Sequence, residues 1–90
     1  MNIETIFNNI TNLLEENHLF VEIGITPIEN KFEFEIHRGD WKHDHLRLDL
    51  LVQDYLNDNG IRFIKSECVT EEDGSDCYSS IHYYRLLGVS

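Results

Sequence analysis

Residues 31–37 read Lys-Phe-Glu-Phe-Glu-Ile-His, a strict alternation that sets Phe32, Phe34 and Ile36 on one side of an extended chain and Glu33, Glu35 and His37 on the other. That pattern is a strand with one face toward a core. Just before it, residues 19–25 read LFVEIGI, with Leu19, Val21, Ile23 and Ile25 on one side, and Pro27 with Glu29 and Asn30 supplies a turn. Strands near 19–26 and 31–38 therefore make a hairpin.

Working outward, Ile3, Ile6, Phe7, Ile10, Leu13 and Leu14 recur at the three-and-four spacing of an amphipathic helix, which Asn2 can cap and Glu15-Glu16-Asn17 closes. Beyond the hairpin, Gly39 breaks the strand. Asp40 can cap a second helix, whose apolar stripe runs Trp41, His45, Leu48, Leu51, Val52, Tyr55 and Leu56 and stops at Asn59-Gly60. Residues 61–70 and 77–87 are strand-like, with an acidic turn between them.

The order αββαββ gives one domain, residues 1–90, made of two αββ units at about 1–38 and 39–90. A shift of 42 positions lays Ile6, Ile10, Leu13, Leu14, Leu19 and Val21 on Leu48, Val52, Tyr55, Leu56, Ile61 and Phe63, and Asn17 on Asn59. Shared burial requirements account for that match as well as duplication does. The units pack as an α+β two-layer sandwich: a four-stranded antiparallel sheet of order 1-2-4-3, permuted ferredoxin-like, with both helices on one face. An open meander is the alternative topology.

The helices are expected to cover the face bearing Phe32, Phe34, Ile36, Ile81 and Tyr83. Alternation then sends Glu33, Glu35, His37, Tyr78, Ser80, His82 and Tyr84 to an open face, where tyrosine and histidine offer contact area with polar tips. An ordinary solvated sheet face fits the same residues. A metal or small ligand held by His37 and His82 with Glu35 or Cys77 is chemically reasonable there. In His43-Asp44-His45 the two histidines point to nearly opposite sides of a helix and cannot chelate one ion together. His45, four residues from both Trp41 and Asp49, is read as a packed histidine bonded to a carboxylate. The expectation is that the protein needs no cofactor and no metal.

Seventeen acidic against seven basic side chains give a formal charge of −10. Such a chain is a poor ligand for a phosphate backbone, which is bound through lysine and arginine, so no direct nucleic-acid binding is expected. A basic protein partner suits it better. Glu71, Glu72, Asp73 and Asp76 in the last turn form an anionic knob without the ligand spacing of a calcium-binding loop. On helix two, Asp40, Asp44, Asp54 and Asp58 fall within roughly 80° around the axis, a row able to imitate phosphates. His43, Leu46 and Leu50 lie opposite the core stripe, a patch for a partner or for a homodimer.

No catalytic or phosphate-binding motif occurs, which places binding ahead of catalysis. No apolar run approaches the span of a bilayer, and the N-terminus lacks a basic n-region, so a cytoplasmic protein with its two cysteines as thiols is expected. The Arg38-Gly39-Asp40 and Asn9-Ile10-Thr11 tripeptides both need secretion and are set aside. In size and charge alone the chain resembles the small acidic inhibitors, including anti-CRISPR and anti-restriction proteins, that act on nucleic-acid enzymes. That resemblance implies a non-enzymatic regulatory protein.

Overall fold

The structure is a computed structural model that describes residues 2–19, 21–26, 28, 30–37, 41–71 and 78–89, with backbone alone at 37, 41–43, 69–71, 78 and 79. Its elements are α1 (Ile3–Glu16), β1 (Glu22–Thr26), β2 (Lys31–His37), α2 (Trp41–Asp58), β3 (Arg62–Glu71) and β4 (Tyr78–Leu87). The strands form one antiparallel sheet in the order β1-β2-β4-β3. The fold is therefore the αββαββ sandwich of order 1-2-4-3, and the meander is excluded.

Helix α1 starts where Asn2 Oδ1 accepts the Thr5 amide at 2.9 Å, satisfying a donor that the first turn leaves without an intrahelical partner. Ile6, Ile10 and Leu14 are fully buried from α1, and Leu48, Val52 and Leu56 from α2. These are the residues that the shift of 42 positions superimposes.

Both helices end in the same way. In α1, His18 takes a left-handed φ of 59°, and the His18 and Leu19 amides donate to the Glu15 and Leu14 carbonyls at 3.0 and 2.9 Å. In α2, Gly60 has φ 67°, and the Gly60 and Ile61 amides donate to the Asn57 and Leu56 carbonyls at 3.1 and 2.8 Å. Each is a Schellman cap, and each carries an asparagine whose Nδ2 donates 2.8 Å to the carbonyl four residues back, Asn17 to Leu13 and Asn59 to Tyr55. The units thus repeat in backbone geometry as well as in burial.

Strand β4 faces the opposite way from the expectation. Phe32, Phe34 and Ile36 stand directly across from Tyr84, His82 and Ser80, and residues opposite each other on neighbouring strands share a face. Ser80, His82 and Tyr84 are accordingly buried at 0% exposure beneath the helices, with Leu86 in the same row. Ile81 and Tyr83 are on the open face. Placement of His82 and Tyr84 on an open binding surface is corrected by this register.

Candidate functional site

Under α2 the core changes character. Asp49 receives three donors: Lys65 Nζ at 2.9 Å on Oδ2, and Tyr84 OH and Gln53 Nε2 at 2.8 Å each on Oδ1. Lys65 also reaches Glu67 Oε2 at 3.2 Å. Beside this group, His45 Nδ1 and His82 Nε2 are 2.7 Å apart, and the other nitrogen of each ring is 3.8 Å from Glu67 Oε2. Helix α2 supplies His45 and Asp49 one turn apart on its inner side, β3 supplies Lys65 and Glu67 two residues apart on its inner face, and β4 supplies His82 and Tyr84 likewise.

Burial sets the electrostatics. Desolvation pushes the Asp49 carboxyl upward, but the hydrogen bonds from Lys65, Gln53 and Tyr84 outweigh it and hold the group below its ordinary value. Lys65 is raised, because its bonds to Asp49 and Glu67 exceed the desolvation that opposes them. Burial, reinforced by neighbouring His45 and Lys65, pushes the His82 imidazole down to about 4. The Tyr84 hydroxyl is pushed well above the phenol range by burial and by the negative charge of Asp49.

The repeat shows what is unusual here. Forty-two positions before His45, Asp49, Lys65 and Glu67 stand Ile3, Phe7, Ile23 and Ile25. In the first hairpin Ile23 pairs with Phe34 and Ile25 with Phe32; in the second, Lys65 pairs with Tyr84 and Glu67 with His82. Apart from Gln53, whose counterpart is Thr11, every polar member of the cluster therefore has a hydrocarbon counterpart in the first unit, where Ile3, Phe32 and Phe34 are buried and Phe7, Ile23 and Ile25 pack against them. The architecture is satisfied by apolar residues at these positions. Buried ion pairs seldom add stability over well-packed hydrocarbon, and an unpaired buried polar atom costs about 1–3 kcal/mol. Among the described residues, His82 Nδ1 and Ser80 Oγ are two such atoms. The cluster is a departure from what folding requires, which marks it as the candidate site.

Of the residues expected to bind, Leu46 and Leu50 are 60% and 63% exposed on the outer side of α2, and Asp54 and Asp58 continue their row at intervals of one turn. Asp44 is half-buried and paired with Arg47 at 3.8 Å. Glu33 and Glu35 are on the open sheet face, where Gly24 leaves a dent between them and Glu22. Tyr83, beneath the Lys31 ammonium at 4.6 Å, and Ile81 take the places foreseen for Tyr84 and His82. Asp40, Glu72, Asp73, Asp76 and Cys77, with the side chains of His37, His43, Glu71 and Tyr78, lie outside the described residues. Cys68 is a free, exposed thiol.

A joint site for His37 and His82 is excluded by register. Position 37 pairs with Ser79 in the row of Glu33 and Glu35, whereas His82 belongs to the inner row. His45 is packed as foreseen, with its Nδ1 2.7 Å from His82 Nε2 and its Nε2 3.8 Å from the Glu67 carboxylate. Lys65 and Glu67 were not singled out from the sequence. The 42-residue shift, extended to Ile3, Phe7, Ile23 and Ile25, is the signal that finds them together with Asp49.

No known protein family, curated protein or solved structure matches this chain. Among the described residues, no helix is long and apolar enough to cross a membrane.

Proposed function

We propose that this is a small acidic, non-enzymatic binding protein of the cytoplasm that docks the outer ridge of α2 on a basic surface of a protein partner and competes there with nucleic acid. The observation that carries the reading is the row Leu46, Leu50, Asp54, Asp58. Two leucines more than half exposed are followed, along a row that winds about 120° around the helix, by two exposed carboxylates about 6 Å apart along the axis. The leucines supply an apolar anchor and the carboxylates select a cationic rim. A second copy fits this ridge poorly, since each chain carries −10 and like charges repel across an interface. Glu71, Glu72, Asp73 and Asp76 add four negative charges to the chain. The ionisable groups under α2 bond one another, which favours binding over catalysis.

Pull-down from the native host, with and without DNA or RNA as competitor, tests the proposal. Capture should be lost with competitor, with rising salt, and in Asp54→Asn/Asp58→Asn. Capture that ignores competitor and salt overturns competition with nucleic acid. A dimer in light scattering that dissociates in Leu46→Glu/Leu50→Glu would assign the ridge to self-association instead.

A further inference from the structure

Two imidazoles 2.7 Å apart, nitrogen to nitrogen, share a single proton, because two N–H groups cannot face each other at that distance. The remaining nitrogens, His45 Nε2 and His82 Nδ1, both stand 3.8 Å from one oxygen, Glu67 Oε2. His82 Nδ1 is sealed from water and has no hydrogen-bond partner among the described residues. One donor atom from each of the three side chains lies within 4.8 Å of the other two. We propose that His45, His82 and Glu67 bind a divalent transition metal ion, zinc by preference, the ion entering between the two facing nitrogens while the proton held there moves to the far nitrogen of its own ring, so that both imidazoles stay neutral.

The donor set and its placement support this. Two neutral imidazoles and a carboxylate suit zinc better than magnesium or calcium, which take oxygen donors. Zinc bonds of roughly 2.0–2.2 Å put neighbouring donors about 3.4 Å apart. The rings, 2.7 Å apart nitrogen to nitrogen, therefore part by less than about 1 Å, and Glu67 turns in from its place beside the far nitrogens. Glu67 has that freedom, since its side chain is 44% exposed on a strand at the sheet edge. The same exposure leaves a coordination position for water. Lys65 competes for Glu67 at 3.2 Å, and Asp49, at 2.9 Å, keeps the ammonium when the carboxylate turns to the metal. The counterparts of the three ligands in the first unit are Ile3, Phe32 and Ile25, so the fold itself does not call for them.

Zinc is titrated calorimetrically into chelator-treated protein, with His45→Ile, His82→Phe, Glu67→Gln and Lys65→Met in parallel and circular dichroism to check folding. The first two variants borrow the residues of the first unit. The expected result is one site in the wild type that is absent from both. Glu67→Gln should weaken it beyond the roughly 10- to 100-fold typical of an outer-shell partner, and Lys65→Met should tighten it. In wild-type protein, ring nitrogen resonances of His45 and His82 should both shift on adding zinc, a readout independent of any variant. Equal stoichiometry in wild type, His45→Ile and His82→Phe, or unshifted resonances at millimolar zinc, overturns the proposal. Weaker binding in Lys65→Met counts against Glu67 as a ligand.

Discussion

The hydroxyl of Tyr84 donates to Asp49 Oδ1 at 2.8 Å, in a place where the first unit sets Phe34 and Phe7. Tyr84→Phe therefore introduces a ring already accepted at the equivalent site and removes one of the three donors to Asp49. We expect a loss of about 1 kcal/mol in urea unfolding. Asp49→Ala should cost more, about 2–4 kcal/mol, because Lys65 loses its nearer carboxylate and the Tyr84 hydroxyl is left buried without an acceptor.

His82 has a folded value of about 4 against the ordinary 6.5. As pH falls through 6.5 the unfolded chain takes up the proton first. Stability from the neutral ring is thus present above 6.5 and lost progressively toward about 4, by at most roughly 3 kcal/mol. Thermal melts of chelator-treated protein should fall across that window, and the slope should flatten in His82→Phe. Asp49, depressed in the folded state, contributes separately: its share is present above its ordinary 3.8 and disappears below that pH.

His18 and Gly60 occupy the same left-handed position at φ 59° and 67°. A side chain there carries a steric cost that glycine avoids. His18→Gly should stabilise the fold by about 0.5–1 kcal/mol, and Gly60→His should destabilise it by about 1 kcal/mol. Equal and negligible changes in both melts would show that the caps tolerate any residue.

Leu46→Glu with Leu50→Glu alters residues 60% and 63% exposed. The double variant should melt within about 0.5 kcal/mol of the wild type while losing the partner. A large drop in stability would mean that the leucines support the fold rather than a contact.

Much of the fold was legible because burial follows simple periods. The stripe Ile6, Ile10, Leu14, its repeat Leu48, Val52, Leu56, and the alternation of Phe32, Phe34 and Ile36 all point to their buried faces, and two αββ units leave few sheet orders. The phase of β4 was not legible. Tyr78-Ser-Ser-Ile-His-Tyr-Tyr-Arg-Leu-Leu87 offers Ile81 and Tyr83 in one phase and Tyr84 and Leu86 in the other. Hydropathy favours the first phase, whereas the partners that Asp49 and His45 give Tyr84 and His82 favour the second. Polar residues that satisfy one another across three elements look, one at a time, like surface residues. The site was therefore half seen, with His82 noted, His45 read as packed, and Lys65 and Glu67 missed.

The position of β3 at the sheet edge, with Lys65 and Glu67 on its inner face, also bears on solubility. A ten-residue edge strand is a template on which another chain can extend the sheet, whereas β1 at the other edge has five residues. Charges that point inward from an edge strand resist such recruitment, because a sheet stacked edge to edge would have to bury them without their partners. Isoleucines at 65 and 67, copying Ile23 and Ile25, would suit the interior equally well and leave the longer edge unguarded. The second unit thus protects with ionic side chains the border that the first protects by being short.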